Sequence, residues 1–393
     1  MTPRIRQIQI QGFKSIDRAV VDLEPFTVLV GLNGTGKSNF LEVLEFVRDC
    51  LTMPVSDAVL NHGRIFPFWL NNDRCGVRLL IEISENVVAD YAFLIEGGLL
   101  GEYRVAHERC LMRVLNEETG FETLNGSFVR EIPGIRPQLA SDRLALFAAS
   151  AIDDFRSLYD FLNSMSFYDI DPYSIGTLID SGPAEFLQPS GRNAAAVLKA
   201  LQELAPESHS KIERLLSQVV DGIQKVTARE VNQHLFVDFQ KDIGLDRTSH
   251  QFAADMSDGT LRILGLLLAV YQLKRPTVLA FEEPEATIHP GAAELVTQVL
   301  MDAAQDRQVL ITTHSPDVLD SKDLRDEQIR VVTMERGRTI IAPLAQSSRQ
   351  AIREHLYTPG ELLRIGELWQ DVEAAKAASE RLDLFPEPAS TPS

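Results

Sequence analysis

Eight residues near the N-terminus have the spacing of a phosphate-binding loop, in which Gly31, Gly36, Lys37 and Ser38 fit the pattern G-x-x-x-x-G-K-[ST]. The apolar run Phe26–Val30 precedes this loop, and a helical pattern of apolar residues follows it. Glycines let backbone N–H groups converge on phosphate oxygens, while Lys37 reaches the β- and γ-phosphates and the Ser38 hydroxyl binds Mg²⁺. The alternative is a glycine turn that precedes Lys-Ser by chance. The flanking strand and helix favour a site for ATP or GTP.

Two adjacent carboxylates, Glu282 and Glu283, follow the apolar run Thr277–Phe281. In a doubly wound sheet, ligands gather at the C-terminal ends of such strands. The two carboxylates repel each other, so a cation is expected beside them. Mg²⁺ held by Glu282 and a water activated by Glu283 would give each carboxylate a role. A solvated acidic turn is the alternative, and the position after a buried strand favours the functional interpretation.

Two further polar turns lie next to apolar segments. Ser257 and Gly259 belong to a turn that opens an apolar helix, where Ser257 alone would be interpreted as an N-cap. His314 follows the apolar strand Val309–Ile311, and a lone histidine there is usually a satisfied turn residue. The order of all four features along the chain gives these two turns a functional interpretation.

The segments that would position these residues fall into two periodicities. Alternating or short apolar runs predict strands, and apolar residues three or four apart predict helices. Helix and strand alternate in the C-terminal part, which predicts a parallel sheet. Turn residues at Gly97-Gly98 and Asn116–Gly120 divide an antiparallel sheet between Val77 and Thr123. The predicted strands are Ile5–Ile10, Phe26–Val30, Leu79–Ile83, Ala92–Ile95, Leu111–Leu115, Leu235–Phe239, Thr277–Phe281, Val309–Thr313 and the hairpin Ile329–Met334 with Thr339–Ala342. The predicted helices follow Ser38, form a mostly helical lobe over Leu139–Val220, and cover Leu261–Leu273 and Ala292–Ala304.

Composition limits the class of protein. The 393 residues are 45% hydrophobic and 24% charged, which is typical of a soluble globular chain. The longest apolar run is too short to span a bilayer and the N-terminus lacks a signal pattern, so we expect a cytoplasmic protein that does not associate with a membrane. Cys50, Cys75 and Cys110 have neither zinc nor disulfide spacing. The net charge of −18 argues against a surface that binds nucleic acid throughout, and favours a protein partner.

The order of the four features resembles the ABC-type ATPase head of the SMC and RecF group. Within that group, the motif residues are most similar to those of a branch of predicted prokaryotic AAA-type ATPases related to the ATPase part of OLD proteins. The resemblance covers nearly the whole chain. This resemblance implies an α/β fold with a mixed sheet around the phosphate-binding loop, an antiparallel β subdomain and a helical insertion. It rests on Gly12-Phe13-Lys14-Ser15, Gly191-Arg192-Asn193, Ser257-Asp258-Gly259-Thr260-Leu261-Arg262, Glu282-Glu283-Pro284-Glu285, Ile288-His289-Pro290 and Thr313-His314-Ser315-Pro316.

The same resemblance implies roles for single residues, with ATP and Mg²⁺ as cofactors. Glu283 matches the catalytic base, and His314 matches the switch histidine that senses the γ-phosphate. In such heads the signature turn, here Ser257 and Gly259, contacts ATP bound to a second copy, which implies a homodimer or a higher homo-oligomer. The implied catalytic residues are Glu283, Lys37 and His314, and the implied Mg²⁺ ligands are the Walker A residue Ser38 and the Walker B residue Glu282. The implied ATP contacts are Gly31, Asn33, Gly34, Thr35, Gly36, Lys37, Ser38, Asn39, Ser257 and Gly259.

The chain departs from the usual ABC pattern at three positions. Glu282 stands where many ABC heads have Asp, and His289 stands at the position of the usual D-loop Asp. The Q-loop glutamine has no clear match. Gln138 and Gln188 are the candidates, and each can also be interpreted as an ordinary polar residue.

Two features of related proteins are not expected in this chain. No sustained heptad run is found, so a long SMC-type coiled coil is excluded. The chain ends soon after the predicted hairpin, so we expect neither a TOPRIM nuclease domain nor nuclease activity. The pair Asp169 and Asp171 is interpreted as a turn beside Pro172. The predicted segments are an ATPase lobe with Walker A (1–75), an antiparallel β subdomain (76–130), a mainly helical lobe (131–250), a second ATPase lobe (251–345), and a C-terminal helix with a disordered tail from Pro386 (346–393).

Three functions fit an ATPase head of this kind. The first is a sensor or regulatory subunit that controls a separate effector, such as a nuclease in phage defence, and the acidic charge suits a protein partner. The second is a RecF-like DNA-maintenance protein, with a local basic patch at Arg4, Arg6, Lys14 and Arg18. The third, the motor subunit of a transporter, fits less well because such subunits are usually shorter.

Overall fold

The computed structural model describes residues 2–63, 65, 74–97, 102–115, 117–132, 138–244 and 247–387. The strands are β1 (Arg4–Phe13), β2 (Ile16–Asp22), β3 (Phe26–Val30), β4 (Arg74–Ser84), β5 (Val87–Gly97), β6 (Tyr103–Val114), β7 (Glu117–Leu124), β8 (Ser127–Arg130), β9 (Ser166–Tyr168), β10 (Ile179–Asp180), β11 (Ile223–Val231), β12 (His234–Asp242), β13 (Thr248–Phe252), β14 (Val278–Glu282), β15 (Gln308–Thr313), β16 (Ile329–Glu335) and β17 (Arg338–Pro343). The helices are α1 (Lys37–Thr52), α2 (Val55–Asn61), α3 (Ala145–Ala149), α4 (Asp153–Asn163), α5 (Pro172–Ile175), α6 (Ala194–Leu204), α7 (Pro206–Val219), α8 (Asp258–Tyr271), α9 (Pro290–Ala303), α10 (Pro316–Leu319), α11 (Gln346–Arg353), α12 (Pro359–Arg364) and α13 (Val372–Glu380).

A six-stranded sheet in the order β17-β16-β3-β15-β14-β9 forms the centre of the fold. Its strands from β9 to β16 pair in parallel, and β17 pairs antiparallel with β16. The parallel sheet predicted from the helix and strand alternation is therefore confirmed. All five residues of β3 are buried, as expected for a parallel strand covered on both faces. The C-terminal ends of β3, β14 and β15 meet at one edge, where the three candidate turns begin.

Helices cover both faces of the central sheet. On one face, α1 lies between this sheet and the antiparallel sheet, and its buried side chains include Phe40, Leu44 and Val47. On the other face, α8 is buried along almost its whole length, from Thr260 to Val270. A helix that is apolar on every side is stable only inside a core, which explains the long apolar run in the sequence. The predicted helices after Ser38 and at Leu261–Leu273 are confirmed.

A seven-stranded antiparallel sheet in the order β2-β1-β4-β5-β6-β7-β8 packs beside the central one. The antiparallel sheet predicted between Val77 and Thr123 is confirmed, but one predicted break is wrong. Glu117–Gly120 was assigned to a turn, whereas these residues begin strand β7 and pair with β6. The burial of β7 alternates only in its C-terminal half, Phe121–Leu124, and the pairing with β6 keeps the turn-forming residues before it in strand geometry. Of the other residues of the predicted breaks, Gly97 is the last residue of β5, and Gly98 and Asn116 lie outside the described part of the chain.

The region predicted to be mostly helical contains strands as well. Helices α6 and α7 form there as predicted, and they pack on a small sheet in the order β10-β12-β11, with β13 on β12. Strand β9 is a correction, because it lies within the predicted helical lobe but joins the edge of the central sheet beside β14. Its three residues are too few to produce a period in the sequence, and only their pairing with β14 defines them as a strand.

The C-terminal segment packs on the antiparallel sheet. The Phe385 ring stacks on His107 with ring centroids 3.5 Å apart, and Arg109 donates a hydrogen bond to the Pro386 carbonyl at 2.7 Å. The predicted disordered tail begins at Pro386, and its residues 388–393 lie outside the described residues. The predicted hairpin of β16 and β17 is confirmed. Among the described helices, none has the length and apolar character needed to cross a bilayer.

Candidate functional site

The glycine loop leads directly from β3 into α1, and its shape requires glycine at two positions. Gly36 caps α1 with φ 97°, in the left-handed region. A Cβ atom on Gly36 would lie 2.0 Å from Thr339 Oγ1, and one on Gly31 would lie 2.1 Å from the Val332 carbonyl oxygen. The loop is therefore pressed against the β16–β17 hairpin. The N-terminal N–H groups of α1 remain available to an anion at this point.

Lys37 is buried inside this loop, with 6% of its side chain exposed. Its Nζ donates hydrogen bonds to the carbonyl oxygens of Gly31, at 2.9 Å, and Leu32, at 3.1 Å. Burial lowers the pKa of Lys37, and the nearby carboxylates of Glu283 and Glu285 oppose this change. An ammonium held with little water is a strong partner for a phosphate group, because its charge is poorly screened.

Ser38 and Glu282 form the second part of the site. The Ser38 hydroxyl donates a hydrogen bond to Glu282 Oε2 at 2.7 Å. Burial raises the pKa of Glu282, while this hydrogen bond opposes the rise. A hydroxyl and a carboxylate oxygen this close fit Mg²⁺, which takes oxygen ligands and is commonly bound by one or two carboxylates plus substrate phosphates. No group of three or more His, Cys, Asp or Glu among the described residues could hold a metal by itself.

Glu283 lies between the side chains of Lys37 and His314. Its Oε1 is 3.7 Å from Lys37 Nζ and 3.1 Å from His314 Nδ1. The backbone of Glu283 has φ 40°, which is strained for a residue with a side chain. Its N–H donates to both the carbonyl oxygen and the Oγ1 of Thr312, at 3.2 and 3.1 Å. Strand β15 thus stabilises the strained backbone at Glu283, which directs its carboxylate toward Lys37.

Glu285 is a further carboxylate at this edge to which the sequence assigned no role. It is 8% exposed, and it accepts a hydrogen bond from the Thr313 hydroxyl. Its second oxygen, Oε2, has no hydrogen-bond partner among the described residues. The Ser315 N–H donates to the same Thr313 hydroxyl at 2.9 Å, so Glu285 is connected to the turn that carries His314. The motif Glu-Glu-Pro-Glu contains the signal for this residue, but its burial depends on tertiary packing.

A cavity of about 440 Å³ lies over the loop. It is lined by Asn33, Gly34, Gly36, Lys37, Ser38, Asn39, Asp169, Arg262, Glu282 and Glu283. Thr35, a predicted ATP contact, is instead buried and donates its hydroxyl to the Leu32 carbonyl at 2.8 Å. Asn39 reaches the cavity, and its amide donates to Ser15 Oγ at 2.6 Å. These two side chains hold the loop in shape within the free chain.

The signature turn does not line this cavity. Ser257 is exposed and caps α8, where its Oγ accepts from the Thr260 N–H at 3.3 Å. Gly259 lies against the loop before α9, because a Cβ atom there would be 2.8 Å from the Thr287 carbonyl oxygen. Thr287 itself has φ 64°. One chain therefore brings Lys37, Ser38, Glu282, Glu283 and His314 together and leaves the signature turn elsewhere.

The two glutamines considered for the Q-loop also lie outside the cavity. Gln138 and Gln188 are both exposed, and neither is among the residues that line it. Asp169, interpreted from the sequence as part of a turn, does line it, whereas Asp171 caps α5 as a turn residue does. The apolar residues before Asp169, Phe167 and Tyr168, are too few to indicate a strand in the sequence, and the pairing with β14 is what places Asp169 at this edge.

Comparisons with known proteins agree with this arrangement. Residues 139–320 match the family described as "AAA domain, putative AbiEii toxin, Type IV TA system", and residues 4–61 match "AAA ATPase domain". The chain is 22% identical to the Old nuclease of Escherichia phage P2, over 82% of this chain and 58% of that protein. It is 29% identical to the phosphonates import ATP-binding protein PhnC 1 of Ruegeria sp. (strain TM1040), over 25% of this chain and 36% of that protein.

Solved SMC heads have the same fold. One, bound to the C-winged helix domain of ScpA, is 15% identical with a TM-score of 0.50, and the match covers 89% of this chain and 99% of that one. Another, from Pyrococcus furiosus and bound to the C-terminal domain of ScpA, is 14% identical with a TM-score of 0.50, covering 90% and 100%. The ABC-type head fold expected from the sequence is thereby confirmed. The chain therefore has the ABC-type head fold, matches two AAA-type ATPase domain families over parts of its length, and is similar in sequence to the Old nuclease.

Proposed function

We propose that the chain binds ATP with Mg²⁺ on the Gly31–Ser38 loop and hydrolyses it with Glu283 as the general base. The observation that supports this role is the position of Glu283, which contacts both Lys37 and His314 at the C-terminal edge of the central sheet. The loop is the only glycine-rich loop that lines this cavity among the described residues. ATP is the substrate class of the matched families.

In the proposed mechanism, Lys37 leaves the loop carbonyls and donates to the β- and γ-phosphate oxygens. Glu283 then orients a water in line with the γ-phosphate and accepts its proton as the water oxygen bonds to the γ-phosphorus. The bond from this phosphorus to the β–γ bridging oxygen breaks, and ADP leaves with the electron pair. His314 lies next to this carboxylate and donates to the γ-phosphate. Ser38 and Glu282 would hold Mg²⁺, which supplies charge neutralisation at the β- and γ-phosphates when it is bound.

We also propose that the complete site forms between two chains. The basis is that Ser257 is exposed and lies outside the cavity, so the signature turn of the same chain does not cover the phosphates. A second copy related by two-fold symmetry would bring its own Ser257 turn over this ATP, and would receive the same contact in return. Two nucleotides would then lie at one interface of a homodimer, alone or within a larger homo-oligomer.

The proposed biological role is that of a sensor or regulatory ATPase that controls a separate effector in phage defence. The related Old nuclease is longer, and this chain spans 58% of its length. One matched family carries the description "putative AbiEii toxin, Type IV TA system", and two similar SMC heads are bound to domains of ScpA. The net charge of −18 suits a basic protein partner.

The alternative role as a RecF-like DNA clamp has less support. Three residues of its proposed basic patch are paired with acids: Arg4 with Glu24 and Glu82, Arg6 with Glu82, and Lys14 with Glu42. Arg18 donates to the Leu382 carbonyl. Little positive charge remains there for phosphates. Duplex DNA binding that appears with ATP at low salt would restore this alternative.

A mixing experiment tests the proposed site. Lys37→Ala and Ser257→Arg chains are purified separately and also co-expressed, and steady-state ATPase activity is measured. Each variant alone should be inactive, because each homodimer lacks one half of both sites. In a mixed dimer, one site has an intact loop from one chain and an intact turn from the other, so about a quarter of wild-type activity should return. No recovery in the mixture, with both variants folded, would contradict the two-chain site.

A further inference from the structure

The short strand β9 places one more carboxylate beside the proposed metal ligands. Strand β9 pairs in parallel with β14, and Tyr168 is in register with Phe281. Asp169 follows Tyr168 and Glu282 follows Phe281, so these two residues lie at the same edge of the sheet. Parallel strands that end together bring their following side chains to one place. This juxtaposition arises from pairing between segments more than 100 residues apart in sequence.

Asp169 is free to reach a ligand in the cavity. Its side chain is 79% exposed, and it lines the same cavity as Ser38 and Glu282. Its backbone N–H donates to the Pro189 carbonyl at 3.2 Å, which fixes the main chain at this point. The carboxylates of Asp169 and Glu282 line this cavity together, so their negative charges lie near each other. Two carboxylates that repel in this way favour a cation between them.

Arg262 is the counter-charge on the other side. It is 9% exposed, lines the cavity, and places Nη2 3.9 Å from Asp169 Oδ1. Its buried Nε has no hydrogen-bond partner among the described residues. A buried guanidinium with an open donor is costly unless a ligand completes its contacts. The cavity is thus lined by an incompletely satisfied cation as well as by the carboxylates, as a site for an ion and an anionic nucleotide requires.

We propose that Asp169 completes the oxygen shell of Mg²⁺ together with Ser38 and Glu282, at the position where the Q-loop glutamine was sought, and that Arg262 holds Asp169 while no ion is bound. This inference rests on the proposed function, because it assumes that ATP and Mg²⁺ bind at the loop. A carboxylate in place of a neutral amide adds a negative charge to the shell. The chain should therefore bind ATP with unusually strong dependence on Mg²⁺.

Binding of a non-hydrolysable ATP analogue tests the inference without relying on turnover. Its Kd is measured by calorimetry in excess EDTA and in excess Mg²⁺, and the ratio of the two values gives the Mg²⁺ dependence. We expect Asp169→Asn to reduce this ratio about tenfold, the size typical for groups that support a metal site. Binding in EDTA should be unchanged or tighter, because a negative charge near the phosphates has been removed.

Two further variants make the result decisive. Glu45→Gln is the matched control, because Glu45 lines an adjacent cavity with Asp169 and Glu282 but lies on α1 outside the nucleotide cavity. Glu282→Gln should lose the Mg²⁺ dependence. If Asp169→Asn behaves like Glu45→Gln while Glu282→Gln loses the dependence, Asp169 has no metal role and the proposed function stands. If the wild-type chain does not bind the analogue at all, both the inference and the proposed function fail.

Discussion

Two parts of the proposed ATP site differ in how far a single chain completes them. The first, which we call the assembled half, consists of Lys37, Ser38, Glu282, Glu283 and His314, and its members already contact one another. The second, the presented turn, consists of residues 257–260 and lies outside the cavity. Binding groups are thus ready in one chain, whereas the remaining contact depends on a neighbour. If the proposed dimer forms, such a division would allow ATP to bind to a monomer and would make efficient hydrolysis depend on association.

The largest expected effect belongs to the assembled half. Glu283→Gln should lower ATP turnover by about 100-fold to 10,000-fold, because the general base is lost while the shape of the side chain is kept. ATP affinity should remain, and the dimer with bound ATP should accumulate, as measured by light scattering after gel filtration. Glu294→Gln, an exposed carboxamide variant on α9, is the control. Equal turnover in Glu283→Gln and wild type would remove Glu283 from the role of base.

The second prediction concerns ATP binding by the assembled half alone. Lys37→Ala should weaken ATP binding about 10-fold to 100-fold, because a buried charge-assisted contact to phosphate is lost. Calorimetry on the monomer measures this change. Lys322→Ala removes an exposed lysine elsewhere and should leave the Kd as it is. Unchanged affinity in Lys37→Ala would mean that the nucleotide binds away from the loop.

A smaller effect should mark the presented turn. Gly259→Ala puts a Cβ atom 2.8 Å from the Thr287 carbonyl oxygen, so the turn must shift. Turnover should fall about tenfold with little change in ATP affinity, because misplacement affects the closed dimer and not the loop. Gly291→Ala is a matched control, since its Cβ would meet no atom closer than 3.5 Å. A loss of ATP affinity in Gly259→Ala would contradict the division into two halves.

The last prediction concerns helix α1, which follows the phosphate-binding loop, and the contribution of its contacts with His62 to stability. His62 lies between Glu42 and Asp49 of α1, at 3.2 and 2.9 Å. Their hydrogen bonds and charges raise its pKa to about 9, against the opposing effect of burial. The folded pKa exceeds the unfolded value, so this stabilisation is complete below pH 6.5 and is lost as the pH rises through about 9.

The free energy of unfolding should therefore fall by about 1.5 kcal/mol between pH 6.5 and pH 8. Urea denaturation at several pH values measures the change. His62→Gln should flatten this dependence, whereas His234→Gln, which alters a half-exposed histidine beside the exposed Asp180, should not. A His62→Gln protein with the wild-type pH dependence would show that the pair with Glu42 and Asp49 contributes nothing.

Much of the fold could be predicted from the sequence, because its main elements have strong local signals. Strand β3 and helix α1 have unbroken apolar patterns, and the strands on either side of Arg336-Gly337 have a clear hairpin turn. Strand β9 could not be predicted, because three residues form a strand only through the pairing with β14. The same reason explains why Asp169 was assigned to a turn. Its position beside Glu282 is a property of the sheet and not of its neighbours in sequence.

The buried contacts of the site were also beyond the sequence. Glu285 was visible as part of an acidic motif, but its burial and its bond from Thr313 depend on how β14 and β15 lie together. The order of the motifs predicted which residues would meet, because the C-terminal ends of parallel strands share one edge. The order of the motifs did not predict that the side chains of Thr35 and Asn39 would donate hydrogen bonds to other groups of the chain.

The close approach of Gly259 to Thr287 has a consequence for communication within a dimer. The loop that contains Thr287 follows directly from Glu283, and the same loop supports the turn that would reach toward a neighbour's ATP. In the proposed dimer, a change at Glu283 on hydrolysis would therefore reach, through this short backbone contact, the Gly259 turn that contacts the ATP of the other chain. In a closed pair, each chain would thus be exposed to the state of both ATP molecules through this one backbone contact.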